Sequence, residues 1–148
     1  MVGKLFIVAT PIGNLNDITY RAVETLKIVD IVLAEDTRHS KKLFEYFEIS
    51  TPLKAFHEHN EREKTKSIIT DLNSGISIAL ISDAGTPLIS DPGYFLVSYA
   101  KKEGIEVIPI PGPSAVITAL SASGLASNSF SFFGFLPSKK IARIKYLQ

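Results

Sequence analysis

Five short apolar runs, each followed by a stretch whose apolar residues recur three and four apart, constrain this chain more than any other feature. The runs cover residues 4–10, 28–34, 52–56, 76–81 and 105–110. They are rich in Ile, Val, Leu and Phe with little polar alternation, which is the pattern of strands buried on both faces. The stretches between them carry Ile18, Ala22, Val23 and Leu26, then Leu43, Phe44 and Phe47, then Ile68, Ile69 and Leu72, then Phe95, Leu96, Tyr99 and Ala100. Each set predicts a helix with one apolar face. Parallel neighbours need a helix-length crossover between them, so this alternation predicts an α/β fold. We expect a five-stranded, mainly parallel sheet with helices on both faces.

Polar residues mark where the helices begin and end. Asn16 or Asp17 is expected to cap the first, Asp36 the second, and Asp91 the fourth with Pro92 in its first turn. Asn60 with Glu63 has the form of a capping box for the third. Gly75 and Gly104 stop the third and fourth. Beyond the fifth strand, residues 115–122 predict a very apolar helix, and residues 130–135 alternate like a strand. A basic helix capped by Ser138 then carries Ile141, Ile144 and Leu147 inward, and the pattern stops within it at Gln148. We expect residues 1–112 to form an N-terminal parallel lobe, and residues 113–148 to be the start of a second, mixed α/β lobe whose remainder is absent.

Some chemistries are excluded. The chain has no cysteine, which removes disulfides, thiol catalysis and cysteine-ligated zinc. Its apolar runs fall short of the roughly 18 residues that a membrane-spanning helix requires, and the run at residues 5–9 is too short for a signal peptide. A cytoplasmic location is expected. Residues up to Glu106 hold 12 basic and 15 acidic side chains, and Lys139, Lys140, Arg143 and Lys145 follow without an acid. Such a basic tail can lie against a phosphate backbone, although a solvated helix face is its commoner use.

The loops after strands one, four and five, at residues 10–15, 83–93 and 111–114, are rich in Gly and Pro. In a parallel sheet all three open on one edge, where ligands of open α/β sheets bind. Gly85 and Gly93 let backbone approach a ligand closely, having no Cβ. No phosphate-binding Gly-x-x-x-x-Gly-Lys-Ser/Thr loop is present, and no Gly-x-Gly-x-x-Gly follows the first strand. Walls of backbone, proline and small hydroxyls suit a neutral-to-cationic adenosyl ligand. Glu35, Asp36 and Arg38 open on the same edge. They can serve acid–base or phosphate-orienting chemistry, or serve as a helix cap beside a surface ion pair. His57 and His59 lack a third ligand at metal-site spacing, so no metal centre is expected. Phe130, Phe132, Phe133 and Phe135 suit either base stacking or a core face.

Taken together, residues 5–15 (LFIVATPIGNL), 33–38 (LAEDTR), 56–60 (FHEHN), 82–93 (SDAGTPLISDPG), 109–115 (PIPGPSA) and 133–137 (FGFLP) resemble the tetrapyrrole (corrin/porphyrin) methylase superfamily. The likeness is to its branch of S-adenosylmethionine-dependent enzymes that methylate the 2′-oxygen of a cytidine in 16S rRNA. The resemblance implies a two-lobed methyltransferase with S-adenosylmethionine in the cleft between lobes. It implies cofactor contacts at Pro11, Gly85, Thr86, Pro87, Ile89, Ser90 and Ser114. Thr86 stands where the wider superfamily has the acid of Gly-Gly-Asp-Pro, which fits the rRNA branch better than tetrapyrrole synthesis. By their strand-end position Glu35, Asp36 and Arg38 are expected on the catalytic, substrate-facing side, with 16S rRNA of the small ribosomal subunit as partner, and the apolar helix at residues 115–122 with the Phe residues suits a homodimer. The alternatives are a methylase of a tetrapyrrole or corrin precursor, and a non-catalytic lobe that binds rRNA or a partner. A single half of such an enzyme is expected to lack activity alone.

Overall fold

Each apolar run becomes a strand where its residues can alternate between two cores. In the computed structural model, which describes residues 1–148, the strands are β1 (Leu5–Val8), β2 (Ile31–Ala34), β3 (Leu53–Ala55), β4 (Ile78–Leu80) and β5 (Val107–Ile110). They lie side by side in the order β3-β2-β4-β1-β5, and every ladder is parallel. The expected five-stranded α/β sheet is present. In the central registers Leu5 sits between Ile78 and Val107, and Val32 between Leu53 and Ala79.

Four helices cross between these strands: α1 (Tyr20–Ile28), α2 (Thr37–Tyr46), α3 (Glu61–Asn73) and α4 (Tyr94–Lys102). From β1 the chain steps past β4 to β2 and outward to β3. It then turns back to β4 and steps past β1 to β5. Crossovers of parallel strands are right-handed, so reversing the direction of travel moves the helices to the opposite face. The two cores show that division. Val8, Val32, Ala34, Ala79, Ile81 and Ile110 pack with Ala22 and Leu26 of α1 and Leu43 and Phe44 of α2. Leu5, Leu33, Ile78, Leu80 and Phe56 pack with Ile68, Ile69 and Leu72 of α3 and Leu96 and Ala100 of α4. Neighbours such as Leu33 and Ala34 face opposite cores, as the pleat of a strand requires.

Helix starts differ from the expected ones in an instructive way. Asp36 caps α2 as expected, accepting from the Arg38 N–H at 2.8 Å. Thr19, not Asn16 or Asp17, caps α1 through the Ala22 N–H, because a short 3-10 turn (Leu15–Asp17) comes first. Ile28 ends α1 and is exposed rather than opening the second strand. Asn60 makes no cap bond to α3; its Oδ1 accepts from the His57 N–H instead. Asp91 does not open α4, which starts after Gly93. The α4 N–H groups are met from outside: Glu61 Oε1 accepts from Gly93, Phe95 and Leu96 at 3.1, 2.9 and 3.2 Å. One carboxylate thus replaces a local cap and pins α4 to α3.

The chain divides into two compact units, Met1–Ala115 and Val116–Gln148. The second contains most of α5 (Ala115–Ala122) and all of α6 (Lys140–Leu147). Residues 130–135 form no strand, for a strand needs a ladder partner and this unit offers none. Lys139, not Ser138, precedes α6, without a side-chain cap bond. Ile141, Ile144 and Leu147, expected inward, are exposed; a segment this short cannot close a core of its own. No helix is long and apolar enough to cross a membrane.

Candidate functional site

β1 and β4 are neighbours whose following helices leave toward opposite faces. A crevice therefore opens between their carboxyl ends, and the loops expected to bind a ligand converge there. Thr10, after β1, and Gly85, after β4, form an isolated antiparallel bridge. The Thr10 N–H donates to Gly85 O at 2.9 Å and the Gly85 N–H returns to Thr10 O at 3.0 Å. The Thr10 hydroxyl donates to Ser82 O at 3.0 Å. Thr86 Oγ1 donates to Pro113 O at 3.2 Å, which ties in the loop after β5. Asp83 Oδ1 accepts from the Asp36 N–H at 3.2 Å, which ties in the loop after β2. Four strand ends are stitched into one rim.

Close approach makes the rim possible. Gly85 has φ +82, and a Cβ there would lie 3.4 Å from Ile12 Cγ2; a Cβ on Gly112 would lie 2.9 Å from Ala9 Cβ. Leu88 and Ser90 hold φ values of 73° and 63° without being glycine. Left-handed backbone at such residues is held only where surroundings over-determine it, and such residues cluster at ligand sites. Leu88 is anchored by the core beneath α4.

Of the residues singled out from the sequence, Pro11, Gly85, Thr86 and Ser114 share this rim. Pro11 and Ser114 are half-buried, while Gly85 and Pro87 are buried. Ile89 and Ser90 stand at the crest of the β4 loop, exposed. Glu35 and Asp36 are half-buried at the end of β2 and Arg38 is exposed. Arg38 is engaged by Asp36, with Nη2 to Oδ2 at 3.0 Å.

The two neighbouring carboxylates sit in opposite electrostatic settings. The Asp36 carboxyl is lowered to about 2, chiefly by its hydrogen bonds with the Arg38 side chain and N–H. The Glu35 carboxyl is raised, first by burial and then by Asp83 and Asp91, with His57 opposing. Asp91 is raised by burial and Asp83. His57 Nδ1 is buried without a partner, and its Nε2 meets Asn60 Nδ2 at 3.0 Å.

Beside the rim, on the α1 and α2 face, lies a cavity of about 390 Å³. Its walls are the β1 loop from Thr10 to Gly13, Ile81 to Ala84 of the β4 end, and His39, Ser40, Lys42 and Leu43 of α2. Sequence reasoning assigned nothing to His39, Ser40 or Lys42, and placed Asp83 in a ligand-bearing loop without giving its carboxylate a role. The available signal was position, since the first three continue the run after Arg38 onto the first turns of α2.

Comparison with known proteins adds to this geometry. The profile of the family described as Tetrapyrrole (Corrin/Porphyrin) Methylases matches residues 4–140. The chain is 61% identical over 139 residues to the Vibrio cholerae protein named Ribosomal RNA small subunit methyltransferase I, covering 94% of this chain and 48% of that one. It is 59% identical over 146 residues to the protein of that name from Pseudomonas aeruginosa, covering 99% and 52%. The chain spans about half the length of the curated relatives it matches. Among solved structures, uroporphyrin-III-C-methyltransferase from Thermus thermophilus aligns over 85% of this chain and 55% of its own, with a TM-score of 0.65 and 24% identity. Diphthine synthase aligns over 84% and 50%, with a TM-score of 0.68 and 18% identity. At these identities the two structures speak for the fold.

Proposed function

This chain belongs to the tetrapyrrole (corrin/porphyrin) methylase family, and from that premise we propose that it forms the N-terminal half of an S-adenosylmethionine-dependent methyltransferase acting on the ribose 2′-oxygen of a cytidine in 16S rRNA. The observation that carries the reading is the stitched rim, where Thr10, Gly85, Thr86 and Pro113 hold three loops at one strand edge. The name shared by the relatives supports ribosomal RNA as the substrate class. Thr86, in place of an acid, supports RNA over a tetrapyrrole.

Pro11, Gly85, Thr86, Pro87, Ile89, Ser90 and Ser114 would hold S-adenosylmethionine. They fit it in kind: main chain, proline and small hydroxyls. The carboxyl groups of Glu35 and Asp91 suit a sulfonium cation nearby. When bound, the cofactor supplies a methyl group already activated on sulfur. The chain must then position the ribose oxygen in line and accept its proton. Of the carboxylates at the end of β2, Glu35 suits proton acceptance, because its raised carboxyl makes the stronger base. Asp36 is committed to the α2 cap and to Arg38. Arg38, exposed beside the crevice, steadies a phosphate. The same reading places the enzyme in the cytoplasm on the small ribosomal subunit. It includes a homodimer, supported by exposed Ile117, Phe133 and Phe135, and residues 113–148 as the start of a second lobe.

The test is transfer of labelled methyl from S-adenosylmethionine to 16S rRNA in small subunits, by a protein joining this chain to the second half its relatives possess. Label is expected on a cytidine ribose, and Glu35→Gln is expected to slow turnover about 100-fold. Label entering only a tetrapyrrole acceptor would overturn the substrate. Unchanged turnover in Glu35→Gln would remove Glu35 as proton acceptor.

A further inference from the structure

The cavity against α2 is lined by residues that neither the cofactor set nor the carboxylate pair uses, apart from Pro11. Its walls are graded. Ile12, Leu15, Leu43 and Ile81 supply apolar sides, Asp83 supplies a carboxylate, and from exposed positions on α2 Lys42 supplies a cation and His39 an imidazole N–H. The Asp83 carboxylate spends Oδ1 on the Asp36 N–H, which leaves Oδ2 to accept another donor. The ion pairs of the chain are Lys4 with Glu106 and Arg38 with Asp36, so Lys42 is not neutralised by a carboxylate. About 390 Å³ falls in the range of small-ligand sites.

A flat base needs apolar faces, an exocyclic amine needs a carboxylate acceptor, and a phosphate needs cations in reach of water. The cavity offers all three. We propose that it seats the target nucleotide: the base lies between Ile12 and Leu43, its exocyclic amine donates to Asp83, and the phosphate is held by Lys42 and His39. This rests on the methyltransferase reading and deepens it. The antiparallel bridge of Thr10 to Gly85 is then the partition between substrate and cofactor, with Pro11 on the wall of both. Asp83 also joins the two functions, since it touches the Asp36 backbone and raises Glu35. Splaying a base out of RNA into such a seat gives the enzyme access to the ribose.

This chain joined to the second half its relatives possess, observed by amide NMR, is titrated separately with cytidine 5′-monophosphate, uridine 5′-monophosphate and S-adenosylmethionine. The cytidine nucleotide is expected to shift Ile12, Gly13, Ser40, Lys42 and Ala84, while S-adenosylmethionine shifts Gly85, Thr86, Ile89, Ser90 and Ser114. The uridine nucleotide, lacking the amine, is expected to bind about tenfold more weakly. Asp83→Asn, which keeps an acceptor for the Asp36 N–H, abolishes that preference. Lys42→Glu weakens the cytidine nucleotide about fivefold or more and leaves S-adenosylmethionine unchanged. Shifts of the cavity amides by S-adenosylmethionine instead of by the cytidine nucleotide would make this the adenosyl pocket and overturn the proposal. So would equal binding of the two pyrimidine nucleotides, or no effect of Lys42→Glu. Failure of S-adenosylmethionine to shift any amide counts against the methyltransferase reading itself, whatever the nucleotides do.

Discussion

The two faces of the sheet are built from the same materials to different ends. Beneath α3 and α4 the core runs unbroken to the carboxyl edge: Phe56 is wholly buried, Leu80 and Leu88 press against Gly93, and Glu61 holds the start of α4. Beneath α1 and α2 the core stops short of that edge, and the space left between Leu43, Ile81 and the β1 loop is the cavity. The comparison teaches that stability and ligand access are separated by face, although both faces share every strand. The reversal of travel after β3 produces the separation. It assigns one pair of helices to each face and leaves the crevice where β1 and β4 part.

Four substitutions break or sharpen this contrast. Phe56→Ala, on the closed face, is expected to cost about 3–5 kcal/mol, since a filled core cannot relax around the void. Urea unfolding measures it, and nucleotide binding to the residual folded protein should be unaltered. Leu43→Ala, on the open face, is expected to cost roughly 2–3 kcal/mol, close to the transfer term alone, because the space it leaves joins a solvent-connected cavity. It also weakens cytidine nucleotide binding, which Phe56→Ala does not. Glu61→Ala strands three N–H groups at the start of α4 and is expected to cost about 2 kcal/mol, with loss of amide protection confined to the first turn of α4.

The smallest effect is electrostatic. Glu35 has a folded-state carboxyl raised above its ordinary value of 4.5. Its charge therefore opposes folding at neutral pH, and that opposition is relieved as pH falls through the raised value and is gone below 4.5. Asp36 behaves in the opposite sense: its contribution is present above 3.8 and is lost as pH falls toward about 2. Glu35→Gln should melt above the unsubstituted chain at neutral pH, and the gap should narrow on acidification and close below the ordinary value of 4.5. A gap that widens on acidification would show that Glu35 is not desolvated as described.

Much of this architecture is legible in the sequence because it is local. Runs such as residues 28–34 and 76–81 announce buried strands, and Asp36 announces the start of α2. What was not legible is long-range. Asp91 has the chemistry of a cap, but Glu61, thirty residues earlier, wins the α4 N–H groups because α3 packs alongside. Residues 130–135 alternate correctly for a strand and form none, since alternation supplies a face and not a partner. The site divides the same way. Glycine and proline loops pointed to Pro11, Gly85 and Thr86. Of the cavity residues, His39 and Lys42 carry no motif, and they and Asp83 become neighbours only when β4 inserts between β1 and β2.

That insertion has a consequence for how the molecule is made. β4 is the sole edge shared by β1 and the β2–β3 pair, yet it is synthesised fourth. A nascent chain stopped before residue 78 holds two unjoined fragments of sheet, each with bare N–H and C=O groups along a side that is later enclosed. Assembly is therefore late and abrupt rather than progressive, and the seam that β4 closes, before β5 completes the sheet beside β1, is the one on which the ligand-bearing loops stand.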